Sequence, residues 1–295
     1  MRRILVTGAT GTVGGSVLMQ LRDAGILAVA GVSARSIGMP GIAPAVQADF
    51  ELGPPAETDF DAIFLMRPPA LSDPDLFVRF LRPFPRSTRI VVLSVAGAES
   101  RSYLPHARIE RAVSDLGFET VAIRPVYFMD NLVTTLAPDL AETGEIVLPS
   151  GDLPFDWVSA RDVAALAVHA LVAERPPRAL TAAGGGRMGF AEICDRINGA
   201  IGTDLRYRPI GPARYVRRCL GRGMGWPHVA VMLFLHWLPR LQRRPAPVAG
   251  DIATVLGRPA ETPEAFARRE AARFRALLRP GADQATRSST TDPTE

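Results

Sequence analysis

Residues 4–14, read as ILVTGATGTVG, constrain the fold of this chain more than any other stretch. Ile4, Leu5 and Val6 form a short apolar run of the kind buried in a sheet. Residues 13–24 carry a helical pattern that Gly25 closes. Between them Gly8, Gly11 and Gly14 fall three apart. A strand, a glycine turn and a helix in that order let the main chain approach a diphosphate more closely than any Cβ would allow. The helix start aims its unpaired N–H groups and its positive dipole end at the same place. The expected ligand class is a dinucleotide. The same glycines also fit a corner that binds nothing, so the argument rests on their flanks as much as on their spacing.

With 295 residues and 47% hydrophobic content, the chain can bury a full core and fits one large α/β domain with a smaller lobe. The longest apolar candidate, residues 229–238, is interrupted by His236 and too short to span a bilayer. The first strand begins at once, leaving no room for a secretory signal, so a cytoplasmic protein with no membrane partner is expected. Cys194 and Cys219 lack metal-ligand spacing and read as buried thiols; no metal is expected. The net charge of +4 hides an asymmetry: all 34 basic residues are arginine, and lysine is absent. That excludes Schiff-base chemistry, a P-loop lysine and the Tyr-x-x-x-Lys dyad of typical short-chain dehydrogenases. The cluster Arg214, Arg217, Arg218 and Arg222 has helical spacing and reads as a solvated face; no nucleic-acid partner is expected.

Further apolar runs at 26–32, 45–48, 62–66, 89–93 and 120–123 predict strands, and 73–81 and 103–116 predict helices. Their alternation implies a doubly wound parallel sheet of the Rossmann type. Beyond Pro125 the pattern loosens. A helix at 161–173 and a strand at 180–182 are expected to return to the sheet. Residues 190–278 read as mostly helical with a short strand at 205–208. The predicted division is a dinucleotide-binding domain at 1–185, with part of a substrate lobe inserted at about 126–158, then a smaller C-terminal substrate lobe at 186–278. Residues 279–295 read as a disordered tail.

Ligands of open sheets bind beyond the strand C-termini, so the loops there are the expected cofactor walls. No acid lies between Ala24 and Ala48 to accept from a ribose 2′-hydroxyl. Ser33 and Arg35 suit a 2′-phosphate instead, which favours NADP(H) over NAD(H). Asp49 and Phe50 are expected near the adenine, and Met66, Arg67, Pro68, Ser94 and Val95 along the remaining wall. None of the four tyrosines has a lysine four residues on. His106 and Glu110 share a helical face instead. A carboxylate beside an imidazole would raise its pKa and make His106 a proton donor or substrate clamp. The same pair could equally be a hydrogen bond that fixes the helix to the sheet.

The segments TGATGTVG, FLMRPP, VVLSVAGA, HARIE, AIRPVYFMDNL and FDWVSARDVAALAVHAL together resemble the NmrA-like branch of atypical short-chain dehydrogenase/reductases over about residues 1–275. The chain is similar to the quinone and triphenylmethane-dye reductases within that branch. The resemblance implies that Thr7, Thr10, Thr12 and Val13 line the diphosphate. It implies that residues 124–131 pass the nicotinamide, making Pro125, Tyr127 and Phe128 contacts and Tyr127 a second catalytic candidate. Asp162 is implied to be a structural cap. Two positions depart from the family pattern: Ser33 replaces an arginine after the second strand, and Arg108 a lysine. The function implied is a reductase passing hydride to a conjugated apolar acceptor such as a quinone, dye or iminium compound. The alternative is a non-catalytic NADP(H)-binding redox sensor. Trp157, Trp226, Phe234 and Trp237 are expected either to cover a small apolar or aromatic substrate or to fill the lobe's core. Residues 229–238 could equally bury against a second subunit in a homodimer.

Overall fold

Because the central strands are apolar on both faces, they need helices on both sides, and the computed structural model supplies them. It describes residues 2–33, 36–37, 44–241 and 248–278, which divide into two compact units. The first unit comprises Met1–Phe128, Asp156–Gly185 and Val248–Glu261. In chain order it begins with β1 (Arg3–Thr7), α1 (Thr12–Asp23), β2 (Leu27–Val32), β3 (Ala45–Gln47) and β4 (Ala62–Met66). It continues through α2 (Pro74–Leu81), β5 (Arg89–Leu93), α3 (Pro105–Asp115), β6 (Thr120–Pro125) and β7 (Tyr127–Phe128). The second unit contributes α4 (Ala137–Thr143) and β8 (Glu145–Leu148). The chain then returns through β9 (Phe155–Val158), α5 (Ala160–Val172) and β10 (Ala179–Ala182).

The central sheet has seven parallel strands in the order β3-β2-β1-β4-β5-β6-β10, as the alternating pattern predicts. The order reverses between β1 and β4, the crevice where such sheets bind ligands. One face packs on α1 and α5 through Val17, Leu21, Val163 and Ala167; the other packs on α2 and α3 through Phe77, Phe80, Ile109 and Val113. Outside this sheet, β7 pairs in parallel with β9, Tyr127 opposite Trp157.

Two expected boundaries need correction. The helix predicted at 103–116 starts two residues later, because Pro105 occupies its first position and Leu104 its N-cap. Residues 248–261, expected in the C-terminal lobe, belong with the sheet. The Asp251 carboxylate accepts from Thr181 N–H at 2.6 Å, and Asp251 N–H donates to the Thr181 carbonyl at 2.9 Å. Ile252 is buried with the core. The Asp162 carboxylate accepts from Glu261 N–H at 2.6 Å and pairs with Arg258 at 2.8 Å, so Asp162 is a structural anchor, while the helix cap implied for it is supplied by Ser159. A local pattern could not reveal these links, because their partners lie 70 to 99 residues apart.

The second unit holds residues 129–155 and 186–247 and those from Thr262 onward. After β8 it contains β11 (Arg187–Met188), α6 (Phe190–Ile201), β12 (Arg206–Pro209), α7 (Pro212–Gly221) and α8 (Trp226–His236). In the first unit α9 (Ile252–Leu256) follows, and the second ends with α10 (Pro263–Arg269) and α11 (Ala271–Leu278). The mostly helical expectation holds, with β8 and β12 paired in parallel as a two-stranded addition. Among the described residues no helix is long and apolar enough to cross a membrane. The tail at 279–295 lies outside the described residues.

Candidate active site

At the C-terminal end of β1 the chain turns through Gly8, whose φ of +64° suits glycine, and enters α1. Gly11 is the N-cap and carries no side chain to cap the helix; its first turn contains no acid. The N–H groups there are left to a ligand or to water. Gly14 is required by packing, since a Cβ on it would lie 2.2 Å from the Gly8 carbonyl oxygen and 2.6 Å from its carbon. Thr10 and Thr12 stand exposed at the turn. Val13 turns its side chain into the core, leaving its main chain to the turn. An uncapped, acid-free helix start behind a glycine turn fits a diphosphate group.

Thr7 plays a different part from the one expected of its hydroxyl. That hydroxyl donates to the Phe64 carbonyl at 3.0 Å and accepts from Met66 N–H at 2.9 Å. It ties β1 to β4 at the switch point and has no exposed surface to offer a phosphate. Phe50 is likewise a core residue, its ring 4.6 Å from that of Phe77 and 4.8 Å from that of Phe80. Asp49 folds its own turn, accepting from the N–H groups of Glu51 and Leu52. Ser33 lies at the end of β2 with its Oγ 3.5 Å from that of Ser36; Arg35 lies outside the described residues.

The Met66 side chain leans over the glycine turn, with its methyl carbon 3.2 Å from where a Cβ on Gly11 would lie. Arg67 turns its Nη1 onto its own loop, donating to the carbonyls of Pro68, Pro69 and Leu71. It therefore shapes this wall rather than reaching outward. Arg67 and His106 also come together beside Leu65 and Phe77, in a spot with no room for a water molecule. On the far side, Ala96 N–H donates to the Pro125 carbonyl at 2.9 Å, holding the loop of Ser94 and Val95 against the end of β6. Tyr127 and Phe128 are half-buried, and the Tyr127 ring meets Trp157 edge-on at 4.9 Å.

The expected partnership of His106 with Glu110 needs correction. Glu110 accepts from Ser94 Oγ at 2.8 Å and is paired with Arg124 through both of its oxygens. Its charge is spent on the end of β6. His106 instead lies in the first turn of α3, where burial and the neighbouring Arg67 hold its pKa down at about 4. The imidazole is neutral at physiological pH, the opposite of the expected shift. Sequence reasoning picked out Glu110 and Ser94 separately but neither their bond to each other nor Arg124 as the counter-ion of that carboxylate. The i,i+4 rule shows which side chains share a face and is silent about a strand packed against it.

This arrangement has a pH signature. An unfolded chain takes up a proton on His106 below about pH 6.5, whereas the folded chain refuses it until about pH 4. His236, wholly buried in the second unit with Ser150 Oγ 3.0 Å from its Nδ1, is held lower still, at about 3. Stability should therefore fall as the pH drops from about 6.5 toward 4, by at most about 1.4 kcal/mol per pH unit for each histidine. Urea titrations across that range check this, and His106→Gln should flatten the part due to His106.

Two further expectations change within the second unit and at its border. Arg218 and Arg222 are turned onto Asp139 and Glu142 of α4, so half of the basic cluster is neutralised internally. Trp157 is wholly buried beneath Tyr127 and cannot cover a substrate. Cys194 and Cys219 are buried free thiols, as expected, and burial pushes the Cys194 thiol up to about 12.

No family model matches the chain. It is similar to an NAD(P)H azoreductase of Xenophilus azovorans, 28% identical over 289 residues that cover 92% of this chain and 99% of the relative. A prestalk A differentiation protein of Dictyostelium discoideum is 28% identical over 240 residues, 76% of this chain and 78% of the relative. Two solved structures share the fold. The Citrobacter sp. triphenylmethane reductase complexed with NADP(H) has a TM-score of 0.70 at 17% identity, covering 90% of this chain and 99% of that one. An NADPH-dependent quinone oxidoreductase from Escherichia coli, complexed with NADPH, has a TM-score of 0.71 at 16% identity with the same coverage. The glycine corner and the strand order agree with the fold of these solved structures, and the chain is similar in sequence to the azoreductase over nearly its whole length.

Proposed function

We propose that this chain is an NAD(P)H-dependent reductase, with NADPH preferred, that passes hydride to a conjugated apolar acceptor such as a quinone, a dye or an iminium compound. The observation that carries this reading is the uncapped, acid-free start of α1 behind the Gly8 turn, at the switch point of a parallel sheet. The azoreductase, dye-reductase and quinone-reductase relatives support it. A bound dihydronicotinamide supplies the hydride.

The chain's own residues determine which acceptors suit. No phenol is tuned by a lysine, and His106, held neutral, is a weak acid at pH 7. Neither can give a proton efficiently to a localised alkoxide. Acceptors that spread the incoming charge over a conjugated system need no such donor, and the proton can come from water. Arg67 and the Glu110–Arg124 pair hold the walls of the crevice in place, while Tyr127 and Phe128 offer half-buried aromatic surface beside it. The NADPH preference rests on the missing acid after β2 and on Ser33.

Steady-state NADPH and NADH oxidation against quinones, azo dyes and triphenylmethane dyes tests the proposal. Turnover with at least one acceptor class and tighter binding of NADPH are expected. His106→Gln should retain most of the activity with an unchanged pH profile near neutrality. Saturable NADPH binding with no turnover on any acceptor would instead make the chain a redox-sensing regulator.

A further inference from the structure

Residues 205–250 contain nine arginines and neither aspartate nor glutamate, and a strongly apolar helix stands in their midst. Helix α8 buries Val229, Met232 and His236 toward its own unit. That inner stripe should complete the apolar share of a surface helix. The outer face is apolar as well. Trp226 is 62% exposed, Val231 55%, Leu235 40% and Phe234 37%, and Leu241 beyond the helix is 65% exposed. A contiguous patch of this kind marks an interaction surface.

The charges around it say what it meets. Arg206 and Arg208 are paired with Asp204 and Glu145, and Arg218 and Arg222 with Asp139 and Glu142. Arg240 lies against the Pro149 carbonyl. Arg214 and Arg217, three apart on α7, are exposed and make no ion pair among the described residues. Helix α7 packs against α8, so exposed positive charge stands on the helix next to the apolar one. A second copy of the same acid-free stretch would oppose like charges if the helix paired with itself. An anionic bilayer offers the complementary partner: acyl chains for Trp226, Val231, Phe234 and Leu235, and headgroups for the arginines.

We propose that α8, flanked by Arg214 and Arg217, docks this protein peripherally on anionic membrane surfaces. At eleven residues the helix lies on the bilayer and does not cross it. Trp226, at the helix start, suits the headgroup level. The inference is independent of the reductase reading.

Cosedimentation of the full chain with vesicles of phosphatidylcholine alone and of phosphatidylcholine with phosphatidylglycerol tests it. Binding is expected on the anionic vesicles only and should weaken as salt is raised. Arg214→Ala with Arg217→Ala should lower the affinity roughly 25-fold, about fivefold for each arginine. Trp226→Ser with Phe234→Ser should abolish binding while thermal melting and circular dichroism show the fold intact. Equal recovery on both vesicle types, or none on either, overturns the proposal. A dimer in sedimentation equilibrium that Phe234→Ser dissociates, without vesicle binding, assigns the face to a second copy. A raised KM for the acceptor in Phe234→Ser, again without vesicle binding, assigns it to the small-molecule site.

Discussion

Gly14→Ala is expected to abolish nicotinamide nucleotide binding and to lower the melting temperature of the sheet unit, whereas Gly15→Ala should change both little. The two positions are neighbours on the first turn of α1 and differ only in what a methyl group would strike. At Gly14 the new carbon would sit 2.2 Å from the Gly8 carbonyl oxygen and 3.0 Å from that of Thr7. These are backbone atoms of the strand end and the turn, which cannot swing aside as a side chain can. At Gly15 the nearest atom is the Ala9 carbonyl oxygen at 3.3 Å, which a small adjustment relieves. Overpacking against backbone costs about 3 kcal/mol, which lowers the melting temperature by roughly 5 °C in a chain of this size. The displacement also drags the first-turn N–H groups away from the diphosphate. Gly8→Ala should fall between the two. Its φ of +64° is strained for alanine by about 1 kcal/mol, but the atom its Cβ would meet is the end of the flexible Met66 side chain. Fluorescence titration with NADPH and thermal melting of the three variants order them. Equal behaviour of Gly14→Ala and Gly15→Ala would mean that the helix does not pack on the turn as described.

The sheet was legible in the sequence because its signal is local. The run at 89–93 is buried on both faces and coincides with β5, and Gly8, Gly11 and Gly14 mark a turn whose geometry admits little else. The site was legible only where main chain does the work. Thr7 was expected at the diphosphate because the family resemblance implies it, yet its hydroxyl is drawn to Phe64 and Met66 on a strand more than fifty residues away. His106 and Glu110 do share a helix, but the sign of the histidine's shift was set by Arg67 and by burial, neither of which the helix encodes. The return of residues 248–261 to the sheet rests on Asp251 and Asp162, isolated acids whose partners are distant in sequence. For Glu110, Asp162 and Asp251 the partner that decides the geometry lies on another element.

As the partner of Glu110, Arg124 is the most consequential side chain of the crevice, and Arg124→Ala is expected to destabilise the protein by about 3 kcal/mol and to raise the KM for NADPH. The Glu110 and Arg124 side chains are 17% and 18% exposed, so neither ion is well solvated by water. Removing the arginine leaves the carboxylate with Ser94 Oγ at 2.8 Å as its remaining side-chain donor. The estimate sits at the low end of the range for buried pairs because both groups keep some contact with solvent. Glu99, 3.4 Å from the same guanidinium, would lose its partner too, though it is half exposed and contributes little. The cofactor effect follows from position. Arg124 immediately precedes Pro125, whose carbonyl holds Ala96, and Glu110 holds Ser94, so losing the pair loosens both expected walls beside the nicotinamide. Glu110→Gln should cost less than Arg124→Ala, since it removes the charge and keeps the shape. The double variant Glu110→Gln with Arg124→Met removes both charges at once and should be more stable than the sum of the single effects allows, by about 1 to 3 kcal/mol. Chemical denaturation of the four proteins measures that coupling directly. Strict additivity would mean that the carboxylate finds other partners, and then the raised KM should disappear with it.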